Sequence, residues 1–299
     1  MKFKLTILFL ALFVSFGYSQ ENKSATEKTE VNKTKKKKKK KKKYKLPNID
    51  LSNWKVTIPK GKPNGKPMEV SPPEIMDYAN NEVLKKYMYN DSIKGALVFY
   101  AHPSVTTANT KYSRSELREQ MVAGSNKVNW TFADGGTMKG KLKIADISRD
   151  KNGKYHKVIV MQIHGRLSNE QRDLIGQKDN NAPPMLKIYW KDGKIRVKTK
   201  KLKNLNVSET DILKKEAWID EEGRTFKEEV GFKKFTLEVK ISDGKMVVSL
   251  NNSEFFVYKD VHIKRWNVFE NYFKAGNYFQ SRDKGSFAKV NYYELTVKH

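Results

Sequence analysis

The sequence predicts an all-β protein, a mostly antiparallel sandwich of two sheets. Three observations support this fold class. Polar and apolar residues alternate with a period of two along most of the chain, hairpin turns separate several of these segments, and helical periodicity is sparse. Residues 46–299, about 250 in number, suit one sandwich domain. Because the chain has no cysteine, burial of apolar surface alone must hold this domain together.

The clearest strands surround two short turns. Lys187–Lys191 and Lys194–Lys198 flank Asp192-Gly193, a pair that favours the positive backbone angles of a two-residue hairpin. Residues 235–241 and 246–250 alternate in the same way around a Ser-Asp-Gly turn. These patterns predict two antiparallel hairpins.

Three other segments complete the secondary-structure prediction. Val290–Val297 alternates and predicts a strand near the end of the chain. Pro73–Tyr89 and Glu209–Ala217 carry the few helical signals, which are sufficient for a turn or two each. We therefore expect helices only as short connections.

The first residues have the pattern of a cleavable signal peptide. Lysines within Met1–Lys4 precede an apolar run, Leu5–Phe16, which is too short for a comfortable membrane span. Small and polar residues follow, so we expect residues 1–19 to be removed after Ser19; the alternative is an uncleaved anchor. The expected product is a secreted protein without stable membrane insertion.

Residues 20–45 are polar and include the unbroken lysine run Lys35–Lys43. A block of like charges repels itself and has nothing to bury, which predicts a disordered linker. It is either a solvated tail or a segment that binds an acidic polymer. Residues 1–45 hold 15 lysines and three acidic residues, which leaves +15 of the formal charge of +27 on residues 46–299.

That excess of positive charge predicts a polyanionic partner for the folded domain. Nucleic acid and anionic polysaccharide are the two classes to consider. Export favours the polysaccharide, and the sequence has no helix-turn-helix or other nucleic-acid-binding signature. We therefore expect no nucleic acid partner.

Three strand-like segments carry polar residues on one face. In 114–118 that face holds Arg114, Glu116 and Arg118, and in 162–164 it holds Gln162 and His164 while Ile163 points inward. In 272–280 it holds Tyr272, Lys274, Gly276, Tyr278 and Gln280, and the glycine leaves room for a close approach to the backbone. Each segment alone is typical of an ordinary solvated strand.

Taken together, Arg-Ser-Glu-Leu-Arg at 114–118, Gln-Ile-His at 162–164 and Tyr-x-Lys-x-Gly-x-Tyr-x-Gln at 272–280 resemble the signature segments of polysaccharide lyase family 7, the alginate lyases. Leu51–Pro59 is similar to the first strand of such domains. The resemblance spans residues 46–299. It implies a β-jelly-roll with an open concave substrate cleft, and cleavage of alginate by β-elimination.

Such an elimination needs a group that neutralises the uronate carboxylate, a base for the C5 proton and an acid for the C4 oxygen. Arg114, Arg118 and Gln162 can act on the carboxylate, and either arginine could make the direct contact. His164 suits the base because an imidazole with an ordinary pKa is mostly neutral at neutral pH. Tyr278 suits the acid.

Four further residues complete the predicted site. Glu116 is expected to orient and partly neutralise the two arginines. Lys274 and the arginines are expected to lower the pKa of Tyr278. Tyr272 and Gln280 are expected to line the cleft. We group Glu116, Lys274, Tyr272 and Gln280 as substrate-binding residues.

The preferred uronate follows from stereochemistry and from one residue. In guluronate the C5 proton and C4 oxygen lie on opposite faces, so base and acid must be different residues. In mannuronate they share a face, and Tyr278 could serve both roles. Isoleucine at the position of Ile163 accompanies acceptance of guluronate in the family, so the resemblance implies guluronate-containing blocks.

The chemistry requires no metal or cofactor, and the remaining histidines have no ligand spacing. They are His102, His156, His262 and His299. The segment 165–184 follows the His164 strand and is either a lid over the cleft or a plain surface loop. We expect a monomer.

Three other functions remain open at this point. A non-catalytic carbohydrate-binding sandwich could use the five tryptophans for stacking. A glycoside hydrolase would need two flanking carboxylic acids, which the three segments do not supply. A lyase for another polyuronate would need the same residue types, so only the resemblance favours alginate.

Overall fold

The structure is a computed structural model that describes residues 44–106 and 110–299. The predicted signal peptide and almost all of the predicted linker lie outside the described residues. Neither described α-helix has the length or the apolar character that a membrane crossing requires.

The strands, in chain order, are β1 (Asn48–Ile49), β2 (Trp54–Gly61), β3 (Pro67–Val70), β4 (Met88–Asp91), β5 (Ala96–Ala101), β6 (Arg114–Glu119), β7 (Gly136–Ile147), β8 (Val158–Arg166), β9 (Asn181–Lys191), β10 (Lys194–Leu202), β11 (Trp218–Asp220), β12 (Arg224–Glu229), β13 (Phe235–Ser242), β14 (Lys245–Leu250), β15 (Glu254–Tyr258), β16 (Glu270–Phe279) and β17 (Ala288–Lys298). The α-helices are α1 (Asn169–Leu174) and α2 (Val261–Arg265). Short 3₁₀ turns occupy Glu74–Asp77, Leu84–Lys86, Asp211–Leu213, Lys215–Ala217 and Trp266–Val268.

The strands form two sheets, which confirms the predicted all-β sandwich. One sheet has the order β15-β14-β13-β7-β17-β5-β4, and β1 pairs in parallel with β17 at its side. The other has the order β11-β10-β9-β8-β16-β6-β2-β3, with β12 beside β10. All the other pairings are antiparallel.

Both predicted hairpins are confirmed. Lys191 pairs with Lys194, and the turn between them has positive φ at Asp192 (51°) and Gly193 (83°), as a two-residue turn requires. Strands β13 and β14 form the second hairpin, and Val290–Val297 lies within β17. In the two segments with helical signals, the helical structure consists of 3₁₀ turns alone.

The core lies between the sheets and is filled by large apolar side chains. All five tryptophans of the chain belong to it, and each is at most 5% exposed: Trp54, Trp130, Trp190, Trp218 and Trp266. Buried tryptophans cannot stack on a sugar ring. The stacking platforms that a carbohydrate-binding module would need are therefore not formed by these residues.

A β-bulge in β8 changes which residues face outward. Against β9, Ile159 pairs with Tyr189 and Met161 pairs with the adjacent Ile188, so Val160 is an extra residue of β8. Strict alternation from Gln162 would place Val160 on the outer face. Instead Val160 and Met161 are both buried in the core, and Ile159 lines the outer cleft.

The buried carboxylate of Glu119 links several segments of the chain by hydrogen bonds. Glu119 at the end of β6 accepts hydrogen bonds from Trp130 Nε1 and the Phe273 amide, both at 2.9 Å. Its other oxygen lies 2.7 Å from His299 Nε2, beyond β17. Burial disfavours the charged imidazole, but Glu119 outweighs this effect and raises the pKa of His299.

We expect the variant His299→Ala to lower the free energy of unfolding by about 1–3 kcal/mol, because Glu119 loses one of its partners. A histidine whose pKa is raised by folding contributes stability that is complete below its unfolded pKa and is lost as pH rises through the folded pKa. The difference should therefore be largest at about pH 5.5 and smaller at about pH 9. Urea unfolding at the two pH values measures it.

The matched control is His299→Gln, which keeps a hydrogen-bond donor but has no charge to lose. The difference in free energy of unfolding between His299→Gln and the parent should also become smaller at high pH. A pH-independent difference for His299→Ala would contradict the ion pair with Glu119.

Candidate active site

A cleft of about 1110 Å³ lies on the outer face of the sheet that contains β16. It is lined by residues of β2, β3, β6, β8, β9 and β16 and of the segment after β8. Eight of the nine predicted site residues line it: Arg114, Arg118, Gln162, His164, Tyr272, Lys274, Tyr278 and Gln280. The ninth, Glu116, lies beneath its surface.

Strand pairing brings these side chains together. Strand β16 runs between β8 and β6 and carries Tyr272, Lys274 and Tyr278 of the site. On one side Tyr272 lies opposite His164 and Lys274 lies opposite Gln162. On the other side Lys274 lies opposite Arg118, and Tyr278 lies opposite Arg114. The three sequence segments thus form one continuous patch.

The geometry around His164 fixes which nitrogen is free. Its Nδ1 lies 3.0 Å from the carbonyl oxygen of Gly165, which can only accept, so Nδ1 carries the proton and Nε2 keeps a lone pair. The ring stacks on Tyr272 with centroids 5.3 Å apart. Burial and the nearby charges of Lys274 and Arg114 lower the pKa of His164 to about 3. His164 is therefore neutral at ordinary pH.

Glu116 is fully buried at the centre of the patch. It accepts hydrogen bonds from Gln162 Nε2 at 2.6 Å, from Arg114 Nη1 at 3.0 Å and from Lys274 Nζ at 2.5 Å. Burial raises the pKa of Glu116, but the charges of Lys274 and Arg114 outweigh this and lower it. Glu116 is therefore an ionised carboxylate with three donors.

The predicted role of Glu116 agrees with the structure only in part. The sequence suggested that it orients the two arginines and binds substrate. It does pair with Arg114, but its second cationic partner is Lys274 rather than Arg118, and its full burial places it below the surface that a substrate would touch. Alternation along β6 could not distinguish these possibilities, because the partner lysine comes from β16.

The two arginines have different surroundings. Arg118 donates to the Glu119 carbonyl at 2.6 Å and to Asn129 Oδ1 at 2.8 Å, and its guanidinium lies over the Tyr272 ring. Arg114 lies 3.8 Å from the centroid of the Tyr278 ring, and its Nη2 has no hydrogen-bond partner among the described residues. Arg114 thus lines the cleft and keeps a spare donor just below its surface.

The pKa of Tyr278 differs from the prediction. Cationic neighbours were expected to lower it, and Arg114 does act in that direction, but burial is the larger effect and raises the pKa of Tyr278. Tyr278 therefore keeps its proton more firmly than a free tyrosine. For Lys274, burial and the charge of Arg114 lower the pKa to about 8.

The segment 165–184 contains more structure than a plain loop. Ser168 caps α1 through a hydrogen bond from the Gln171 amide, and Gln171 Nε2 donates to the Val268 carbonyl at 2.7 Å. Asn180 Nδ2 donates to the Leu167 carbonyl, and Asn180 lines the cleft. The segment forms one wall of the cleft, and its movement as a lid stays a prediction.

Sequence reasoning missed the residues at the two ends of the cleft. Lys55 and Glu69 line one end and form an ion pair at 2.9 Å. Lys187 and Tyr189 line the other end. Alternation in the β9 hairpin would have placed these two on one face, but nothing in the sequence shows that this face borders the cleft. In the described part of the chain, no group of three or more His, Cys, Asp or Glu residues could hold a metal ion.

Known proteins resemble this chain over the whole sandwich. The family model for alginate lyases matches residues 49–299. Alginate lyase A1-II', a member of polysaccharide lyase family 7, is 30% identical over 84% of this chain and 96% of its own, with a TM-score of 0.65. No curated protein matches the chain significantly.

Two further crystal structures extend the comparison. A variant of A1-II' with one histidine replaced by asparagine and one tyrosine by phenylalanine, in complex with the substrate GGMG, is 28% identical over 84% of this chain and 94% of its own, with a TM-score of 0.65. The alginate lyase PA1167 from Pseudomonas aeruginosa is 21% identical over 84% of this chain and 100% of its own, with a TM-score of 0.61. The similarity to PA1167 concerns the fold alone.

We expect Glu116→Ala to destabilise the fold by about 3–5 kcal/mol, because it leaves Arg114 and Lys274 buried without their shared counter-charge. The matched control is Glu294→Ala, which breaks a single ion pair with Lys141 whose side chains are 51% and 45% exposed and should cost about 1 kcal/mol or less. Urea unfolding of both variants tests the difference. Equal losses for the two would show that Glu116 is no more important than a surface partner.

Proposed function

Since this chain belongs to the alginate lyase family, whose model matches residues 49–299, we propose that it cleaves guluronate-containing alginate by β-elimination with His164 as base and Tyr278 as acid. The chain is a polysaccharide lyase, and its substrate is an anionic polysaccharide. The observation that carries the proposed roles is the free Nε2 of a neutral His164 in the same cleft as a protonated Tyr278.

The first requirement of the reaction is neutralisation of the uronate carboxylate. An ionised carboxylate beside C5 opposes removal of that proton, because negative charge then accumulates on the same group. Arg114 supports the direct contact better than Arg118, since its Nη2 has no partner among the described residues while Arg118 is held by Glu119 and Asn129. Buried fixed donors of this kind stabilise developing charge strongly.

The second requirement is a base. Nε2 of His164 carries the lone pair, and Gly165 holds the ring in that tautomer. A pKa of about 3 makes His164 a weak base in the free protein, and part of that depression comes from Lys274 and Arg114. A bound carboxylate would offset both positive charges, so substrate binding should raise the pKa of His164 and strengthen it as a base.

The third requirement is an acid for the departing C4 oxygen. Burial raises the pKa of Tyr278, so the phenol is fully protonated and ready to donate. Arg114 lies against the ring and would stabilise the phenolate formed after the transfer. The related enzyme that was crystallised with substrate carries replacements of one histidine and one tyrosine, which are the same two residue types.

The state of Tyr278 also bears on the uronate preference. A single residue that takes and returns the proton would have to begin as phenolate, and a raised pKa makes phenolate scarce at neutral pH. A separate base and acid suit guluronate, whose C5 proton and C4 oxygen lie on opposite faces. Together with Ile163, this favours guluronate-containing blocks.

Export through the signal sequence at residues 1–19, and action as a monomer, are parts of the same proposal. Alginate is a polymer outside the cell, and every residue assigned to the reaction comes from one chain. N-terminal sequencing and size-exclusion chromatography of the exported protein test these two statements directly.

The direct test is ultraviolet absorbance of the protein mixed with polyguluronate, polymannuronate or a neutral glucan, since elimination creates a conjugated unsaturated uronate. We expect a rise with polyguluronate and none with the glucan. His164→Ala should reduce the rate on polyguluronate by about 10²-fold to 10⁴-fold, the usual contribution of a general base.

The matched control is His262→Ala, because His262 lies in α2 and accepts a hydrogen bond from the Leu202 amide away from the cleft. It should keep full activity. Retained cleavage of polyguluronate by folded His164→Ala would remove His164 as the base, and a flat trace of the parent with all three polymers would remove the proposed activity.

We also expect kcat/KM to fall as pH rises through about 8, where Lys274 loses its charge in the free enzyme. Tyr278 titrates above its ordinary range, and His164 protonates only near pH 3, so neither accounts for such a fall. Lys274→Arg should move the alkaline limb to higher pH. An unchanged limb in a folded Lys274→Arg protein would assign it to another group.

A further inference from the structure

A second cavity, of about 320 Å³, adjoins the cleft at its β9 end. It is lined by Lys157, Tyr189, Lys191, Arg196 and Lys198, and we call it the basic pocket. Tyr189 borders both the basic pocket and the cleft. The two cavities are therefore adjacent on the sheet, and four of the five residues of the smaller one are cationic.

The bulge in β8 and the β9–β10 register bring these residues together. Tyr189 lies opposite Arg196, and Lys198 lies opposite Lys187 of the cleft. Lys157 directly precedes β8, two residues before Ile159, and its carbonyl accepts a hydrogen bond from the Gln280 amide at 3.0 Å. The basic pocket thus begins where the Tyr278 end of the active site stops.

The positive charges of the basic pocket lack acidic partners. Nearby, Lys187 and Lys200 share Asp220 at 2.7 and 2.8 Å. None of the four cations of the basic pocket forms an ion pair with a described residue. Partial burial and the charges of Lys191 and Lys198 lower the pKa of Lys157, as expected for lysines close enough to repel one another.

One cation of the basic pocket is fixed in place. Arg196 donates from Nη1 to Thr225 Oγ1 at 3.3 Å and from Nη2 to the Glu222 carbonyl. Its partners are neutral, so its charge remains uncompensated. A fixed guanidinium beside three lysines and one aromatic ring is suited to a sugar that carries a carboxylate.

We propose that the basic pocket is an accessory subsite that binds carboxylates of the uronate chain beyond the residues being cut, on the Tyr278 side of the cleft. A polyuronate carries one carboxylate on each sugar, so a chain that leaves the cleft past Tyr189 meets the uncompensated cations. This inference rests on the proposed function for the identity of the polymer. It adds that affinity depends on chain length.

The consequence is a difference between long and short substrates. A polymer reaches the basic pocket while its reactive bond lies at His164, whereas the shortest oligomer that the parent protein cleaves does not. Removing three charges should raise KM for polyguluronate about tenfold at low salt, since each exposed ion pair contributes modestly and salt screens it. The effect should disappear at high salt.

The experiment uses the triple variant Lys157→Gln, Lys191→Gln, Lys198→Gln in the full chain. The matched control is Lys143→Gln, Lys245→Gln, Lys298→Gln on the opposite sheet, which removes the same charge from lysines of similar exposure that form no ion pair with described residues. Both are assayed on polyguluronate and on the shortest oligoguluronate that the parent cleaves. Only the first should raise KM for the polymer, and neither should change kcat/KM for the oligomer by more than about twofold.

A second measurement does not depend on turnover. Retardation of the parent and both triple variants is compared in native gels that contain polyguluronate. The basic-pocket variant should be retarded less than the control variant. This separates the two possible failures, because a parent that cleaves no uronate would overturn the proposed function while the gel still tests the basic pocket.

Two results would overturn the subsite and leave the proposed function intact. One is equal KM and equal retardation for the two triple variants. The other is the same loss of kcat/KM on the oligomer as on the polymer, which would make these lysines part of the reacting site.

Discussion

The buried carboxylate of Glu116 is the contact on which the rest of the site depends. It holds one donor from each of the three strands that carry the sequence signature, namely Arg114 of β6, Gln162 of β8 and Lys274 of β16. Burial removes the hydration of both cations and brings them close enough to repel each other. The carboxylate between them offsets both of these costs. Glu116 thus allows positive charge to be kept under the cleft in a fixed position.

Close approach of the backbones makes that contact possible. Gly276 in β16 has a φ of +137°, and a Cβ there would lie 2.7 Å from the Ser115 carbonyl oxygen and 2.9 Å from Glu116 Cα. The sequence suggested that this glycine leaves room for something to approach the backbone. The neighbour that approaches is strand β6. The glycine of the signature therefore makes room for the backbone at Glu116 rather than for a sugar.

The sequence predicted the fold because strands and turns depend on local pattern, and it predicted most of the residues that line the cleft because three segments resemble the signature of one family. Alternation and the Asp192-Gly193 turn define strands without knowledge of their partners. The remaining features depend on partners from distant parts of the chain. The bulge at Val160, the pairing of Glu116 with Lys274, and the raised pKa of Tyr278 all follow from sheet register and burial, and no period-two pattern contains them.

The site combines a buried charge cluster, which is only partly compensated, with several uncompensated cations at its surface. Glu116 offsets Arg114 and Lys274 only in part, since one carboxylate faces two cations. The net positive charge that remains costs stability in the free protein, and it adds to burial, the larger effect, in lowering the pKa of His164 and of Lys274. A polyanion supplies the missing negative charge. Binding therefore relieves a repulsion that folding leaves in place, and the same charge that selects the substrate also prepares His164 to accept a proton once the substrate is bound.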